Sequence, residues 1–142
     1  MVQVKSRSHY GSIEFICIHD LLRDLALQKA KEDNFLLVYS HPDDKMSLSK
    51  ARRVAIHNPN CDKLIMSQNL RTLLCFYNGR IPNFSKQRLL KVVRIGVKTD
   101  NIIELGMLEG LTQLKYLNLS GKLSDECDQE YFEKVIGRMK FL

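Results

Sequence analysis

Leu114-Lys115-Tyr116-Leu117-Asn118-Leu119 puts apolar residues at its first, fourth and sixth positions. In an extended backbone the fourth and sixth side chains share a face, so the hexapeptide reads as a short strand with one inward side. The spacing recurs upstream as Leu90-x-x-Val93-x-Ile95, followed at once by Gly96, as Leu70-x-x-Leu73-x-Cys75, and more loosely as Ala51-x-x-Val54-x-Ile56. First positions therefore fall at Ala51, Leu70, Leu90 and Leu114, at unequal intervals, and Met139-x-x-Leu142 would open a further copy. A spacing of three leads into the best copy through Leu105, Leu108 and Leu111.

Self-similarity of this form is the leucine-rich-repeat pattern, whose period is roughly 20–29 residues. Each repeat supplies one parallel strand whose fixed apolar residues bury only when neighbours stack on them, while the variable residues face outward. The expected repeat core is Val54, Ile56, Leu70, Leu73, Leu90, Val93, Ile95, Leu114, Leu117 and Leu119, within a repeat region spanning 51–142 of about four repeats with the last truncated. The asparagine usual after the strand is missing, with Gly79, Asp100 and Ser124 nearby instead, and the unequal intervals imply return segments of unequal length.

Working outward to the N-terminus, the pattern changes. Met1 to Lys5 alternates as a half-buried strand, Ser6 to Ser12 is a polar loop containing Gly11, and Ile13 to Ile18 is a return strand, together a β-hairpin. A helix is expected from Asp20 to about Asp33: Leu21, Leu22, Leu25, Ala26 and Ala30 form one stripe, Asp20 can cap the first turn, Lys29 and Lys31 suit the last, and Asn34 is a stop. Phe35 to Tyr39 is a short apolar strand, His41-Pro42-Asp43-Asp44 a turn, and Lys45 to Lys50 linker-like, so 37–50 is assigned as a linker.

The chain of 142 residues carries 22 basic and 16 acidic side chains, a net charge of +6. The excess lies between Asn58 and Asp100, with 8 basic residues (Lys63, Arg71, Arg80, Lys86, Arg88, Lys91, Arg94, Lys98) against 2 acidic ones. Scattered Lys and Arg without interleaved aromatics read as a solvated face and disfavour nucleic acid as a partner. Cys17, Cys61, Cys75 and Cys127 form no C-x-x-C pair and have no zinc-like spacing with His9, His19, His41 or His57, which points to reduced, idle thiols and no metal. No run reaches the ~18 apolar residues of a membrane span. His57 is assigned to a repeat face, and Met66, Met107 and Met139 to gap filling in the core. No nucleophile–base pair or carboxylate pair is legible, so an enzyme is not expected.

Taken together, Val2-Gln3-Val4, the polar hairpin and Ile18-His19-Asp20-Leu21-Leu22-Arg23-Asp24-Leu25-Ala26 resemble the end of the winged-helix subdomain of plant coiled-coil, nucleotide-binding (NB-ARC), leucine-rich-repeat disease-resistance proteins, where a Met-His-Asp signature precedes a leucine-rich helix. Lys29-Ala30-Lys31-Glu32-Asp33-Asn34-Phe35 continues the likeness. Ala51-Arg52-Arg53-Val54-Ala55-Ile56-His57 resembles the first strand after the linker, and Asn69 to Leu74 and Gly110 to Leu119 resemble repeats. The resemblance implies an α/β architecture: a winged-helix remnant of hairpin plus helix over 1–36, then an irregular leucine-rich-repeat solenoid with a short parallel sheet. It implies defence signalling switched by ADP and ATP, with a pathogen effector or guarded host protein and the intramolecular NB-ARC domain as partners. It also implies a cytoplasmic location, with membrane-peripheral and nuclear placements as alternatives.

Ile18 replaces the signature methionine, a volume-conserving swap. The family's nucleotide-binding histidine and aspartate fall on His19 and Asp20, the histidine approaching the phosphates of ADP in the closed state. One charge-assisted bond of this kind is worth about 1.5–3 kcal/mol, roughly 10- to 150-fold in affinity. The G-x-x-x-x-G-K-[ST] phosphate loop that supplies most of the binding is absent from the sequence. The expectation is therefore an internal segment or truncated product that does not bind nucleotide by itself, that leaves Leu21, Leu22 and Leu25 uncovered, and that is marginal in isolation. The alternative is a stand-alone leucine-rich-repeat protein-interaction module in which hairpin and helix serve as an N-terminal cap.

Overall fold

The computed structural model describes residues 2–40, 48–58, 64–76, 83–96, 102–120, 122–123 and 129–142. The turn expected at 41–44, residues 45–47 of the segment 45–50, Gly79, Asp100, Gly121, Ser124, Cys61 and Cys127 lie outside these residues. Two compact units divide the chain, Met1–Phe35 and Leu36–Leu142.

In the first unit, β1 (Val2–Arg7) pairs antiparallel with β2 (Ile13–Ile18), with a register irregularity between Val4 and Ser6. The turn closes through Gly11 N–H to the Ser8 carbonyl at 2.9 Å, and Gly11 has φ +79°, open to glycine without steric cost. Helix α1 runs Asp20–Glu32. Its C-terminus is a Schellman motif: Phe35 N–H donates to the Ala30 carbonyl at 2.8 Å and Asn34 N–H to Lys31 at 3.2 Å, with Asn34 itself left-handed at φ 49°. On the last turns, the Glu32 carboxylate accepts from Lys29 Nζ at 2.8 Å and from Gln28 Nε2 at 2.9 Å. Those two bonds, Lys29 first, hold its pKa below the ordinary glutamate value. No helix residue is buried, and Leu21, Leu22 and Leu25 are 73%, 43% and 55% exposed.

The second unit is built on a five-stranded, wholly parallel sheet. Its strands, in spatial order, are β3 (Leu37–Tyr39), β4 (Arg53–Ile56), β5 (Thr72–Cys75), β6 (Val92–Gly96) and β8 (Tyr116–Ser120). Register aligns Leu37, Val54, Leu73, Val93 and Leu117 in one row, and Tyr39, Ile56, Cys75, Ile95 and Leu119 in the next inward row. A second parallel pair joins β7 (Ile102–Ile103) to β9 (Lys122–Leu123). Helix α2 (Gln129–Ile136) buries Val135, and Tyr131 Oη donates to Glu109 at 2.8 Å beside the 3₁₀ turn Leu105–Leu108.

One backbone turn recurs before the strands. Ala51, Leu70, Leu90 and Leu114 each donate N–H to the carbonyl three residues back, at Leu48, Ser67, Gln87 and Leu111, over 3.1–3.3 Å. Met139 makes the same bond to Ile136 at 2.9 Å. The turn drives the first apolar residue of each copy inward just before the chain becomes extended. The 3₁₀ geometry also explains the spacing of three, since residues i and i+3 eclipse and Leu105, Leu108, Leu111 and Leu114 are all buried.

Of the expected core, Val54, Ile56, Leu70, Leu73, Leu90, Val93, Ile95 and Leu114 are fully buried. Leu117 and Leu119, in the edge strand β8, are only half-buried. Met66 and Met139 are buried and Met107 packs half-buried against the same cluster. Segment 37–50, expected as a linker, instead contributes β3 and the buried Tyr39 and Leu48 to the sheet unit. The reason is visible in the register: Leu37-x-Tyr39 lies beside Val54-x-Ile56 and repeats its inward pair.

Candidate interaction surface

Strand alternation fixes what the sheet shows on its other side. With Val54/Ile56, Leu73/Cys75 and Val93/Ile95 inward, the outward rows are Arg53, Thr72, Val92, Tyr116, then Ala55, Leu74, Arg94, Asn118, then His57, Phe76, Gly96, Ser120. Ala55 is buried, and Arg53, Thr72, Leu74 and Val92 are half-buried. The exposed groups concentrate at Phe76 (39%), Tyr116 (48%), His57, Arg94 and Asn118.

These groups touch across strands. The rings of His57 and Phe76 stack with centroids 5.0 Å apart and planes at 17°. The Arg94 guanidinium lies 5.1 Å from the Phe76 centroid, a cation–π contact. Asn118, the β8 partner of Arg94, donates Nδ2–H to Tyr116 Oη at 3.4 Å. The result is an outward strip of aromatic and hydrogen-bonding groups over β4 to β8, with contacts joining His57, Phe76 and Arg94 across β4 to β6 and Asn118 to Tyr116 within β8. Aromatic and Arg side chains of this kind form the energetic centres of protein interfaces. Sequence reading assigned His57 to this face but missed Phe76, Arg94 and Tyr116 as a group. Their adjacency depends on pairing between copies that begin at Ala51, Leu70, Leu90 and Leu114, far apart along the chain; the position after each inward pair, His57 and Phe76, was the available signal.

His19 and Asp20 sit at the start of α1, both exposed. The cap falls one residue earlier than expected: His19 is the N-cap, its Nδ1 accepting from Leu21 N–H at 3.3 Å, and Asp20 is the first helical residue. His19 has the extended backbone (φ −61°, ψ 141°) that an N-cap requires, whereas Asp20 is already helical and serves the dipole. Among the described residues no three His, Cys, Asp or Glu gather as a metal site, Cys75 is buried and Cys17 half-buried, and no helix is long and apolar enough to cross a membrane.

Comparison with known proteins decides the relationship. "Probable disease resistance RPP8-like protein 4" of Arabidopsis thaliana is 30% identical over 131 residues, covering 80% of this chain and 14% of that protein. The chain is a relative of the plant disease-resistance proteins. "Disease resistance protein RPP13" of the same plant matches at 28% over 96% of the chain and 16% of its own length. "Disease susceptibility protein LOV1" matches at 29% over 72% and 13%. The chain thus spans about one-seventh of the length of these resistance-protein relatives. No family model matches it, and no solved structure does.

Proposed function

We propose that this chain is a segment of an intracellular plant immune receptor of the NB-ARC leucine-rich-repeat kind, and that it works by protein recognition rather than by catalysis. One observation carries the reading. The turn-then-strand unit that starts at Ala51, Leu70, Leu90 and Leu114 repeats in backbone, burial and register, and leaves one ordered outward strip. That arrangement supports a leucine-rich-repeat solenoid whose variable face, His57, Phe76, Arg94, Tyr116 and Asn118, meets a protein partner such as a pathogen effector or a guarded host protein.

The hairpin and α1 support the other half of the reading. With no buried residue among those described in 2–35 and three leucines of α1 exposed, this unit suits a winged-helix piece whose apolar side packs on chain of the longer receptor. In that receptor His19 is placed to approach the phosphates of ADP. Its Nδ1 is engaged as the helix cap, so the contact falls to Nε2. Asp20 contributes the anionic first turn and not a phosphate ligand. These two residues fit an auxiliary contact and not a nucleotide site of their own, since an exposed His beside a carboxylate offers one donor and one repulsive charge. ADP and ATP switching is therefore assigned to the receptor as a whole.

The test is a chimaera in which this chain replaces the matching segment of RPP13. Phe76→Ala, Arg94→Ala and Tyr116→Ala together abolish or redirect recognition in a leaf cell-death assay while the protein accumulates normally. Unchanged recognition with all three substituted removes the outward strip from the reading. His19→Ala, assayed by ADP retained on the purified chimaera, loosens nucleotide; full retention removes the switch role. A stand-alone interaction module is distinguished by the same assay, because it needs no replaced receptor around it to bind its partner.

A further inference from the structure

The residue just before each strand from β4 onward along the sheet is basic: Arg52 before β4, Arg71 before β5, Lys91 before β6 and Lys115 before β8. The sheet register puts these four side by side. Arg71 N–H donates to the Arg52 carbonyl at 2.7 Å, Lys91 N–H to Arg71 at 2.8 Å, and Lys115 N–H to Lys91 at 2.8 Å. All four are exposed, and none is ion-paired among the described residues; Lys115 rests its ammonium 5.7 Å from the Phe141 ring. Neutralising charge is scarce around the first three, since the sequence from Leu48 to Gly96 holds ten Lys and Arg and a single acidic residue, Asp62. Four like charges stacked at strand spacing repel one another, and an anionic partner relieves that repulsion.

Spacing narrows the partner. Neighbouring strands lie about 4.8 Å apart, so the four cations are based at roughly 0, 4.8, 9.6 and 14.4 Å along the ladder. Carboxylates at positions i, i+3, i+7 and i+10 of an α-helix share one face and rise about 0, 4.5, 10.5 and 15 Å, within about 1 Å at every rung. Alternate residues of an extended peptide advance roughly 6.7 Å and overshoot the fourth rung by about 6 Å. Among the described residues a single ring, Phe141 beside Lys115, flanks the ladder, short of the row of rings on which successive nucleobases would stack. We propose that this ladder docks an acidic helix of a partner protein, presenting Glu or Asp at i, i+3, i+7 and i+10. The inference rests on the parallel register and is independent of the outward strip and of His19.

Fluorescence anisotropy on the whole chain tests it, with a labelled Ala-rich helical peptide carrying Glu at those four positions. A peptide of the same composition with the Glu positions scrambled, single-stranded DNA of equal charge and vesicles containing phosphatidylserine serve as the competing probes. The patterned helix binds tightest, and binding weakens as salt is raised. Exposed charge pairs each contribute up to about a factor of five, so Arg71→Ser with Lys91→Ser weakens binding about tenfold with an unchanged circular dichroism spectrum, whereas Arg71→Lys stays within about twofold. Equal binding of the scrambled peptide, tighter binding of DNA or vesicles, or full affinity in the double variant overturns the proposal. The scrambled-peptide comparison uses the unsubstituted chain and stands even where a variant folds poorly.

Discussion

Removing the same three carbon atoms from two leucines should have very different effects in the two units. Leu73 is fully buried in β5, and its row neighbours Val54 and Val93 on either side are fully buried too. Leu→Ala at such a position forfeits transfer free energy and leaves a cavity between strands that cannot close without breaking register, about 3 kcal/mol within the 2–5 kcal/mol range of such changes. Leu21 is 73% exposed on α1, so only about a quarter of the roughly 1.5–3 kcal/mol of a buried leucine is at stake. Alanine returns a few tenths through helix propensity, leaving a net cost of ~0.5 kcal/mol or less. Urea titration followed by circular dichroism, with amide exchange to separate the units, reads both. At a slope of about 1.5 kcal/mol per molar urea, Leu73→Ala moves the midpoint of the sheet unit by roughly 2 M, and Leu21→Ala moves no midpoint by more than about 0.3 M. Similar shifts for the two variants, or less than about 1 kcal/mol for Leu73→Ala, would refute the assignment of the core to the sheet and of α1 to an uncovered surface.

Other expectations follow from single contacts. Gln87 is buried with no partner for Oε1 among the described residues, at the turn position that is Leu48 and Leu111 in other copies, so Gln87→Leu should stabilise the sheet unit by about 1 kcal/mol in the same titration. His19→Ala removes the acceptor for Leu21 N–H and should cost α1 roughly 0.5–1 kcal/mol, read as lost helical ellipticity, while Asp20→Asn, which leaves the cap in place, costs less. Glu32 has a folded pKa below its unfolded one, so its contribution is present above the ordinary glutamate pKa and is lost as pH falls through the lower folded value. Amide protection at the C-terminal end of α1 should therefore fall on acidification, and Lys29→Met should remove most of that dependence.

The parts of the fold that were legible in sequence are those written as local periodicity. L-x-x-L-x-L located β4, β5, β6 and β8 and their inward residues, and Asn34 marked the end of α1. The misses have physical causes. Leu37-x-Tyr39 escaped assignment to the sheet because its copy lacks an apolar first residue, Asn34 standing there, so only the inward pair remained. The cap moved from Asp20 to His19 because imidazole Nδ1 can accept an N–H as an oxygen does, which residue preference alone ranks low. Leu117 and Leu119 fit the pattern as well as any copy, yet they are only half-buried at the β8 edge while Tyr39 at the β3 edge is fully buried, a difference set by what covers each edge and not by the motif. The His57–Phe76–Arg94 strip and the four-cation ladder exist only once register is known; in sequence both dissolve into scattered polar residues.

The pre-strand turn has a consequence for how such a chain can change. Because each strand is locked at its entry by a backbone bond to the strand before it, Arg71 to Arg52, Lys91 to Arg71 and Lys115 to Lys91, the path taken between locks is free to vary in length. The longer return from Leu90 to Leu114 serves the sheet as well as the shorter one from Ala51 to Leu70. Insertions and deletions between locks thus leave every outward side chain where it was. Substitution can then edit the exposed rows one position at a time, so this architecture separates drift in length from drift in what the outward face presents.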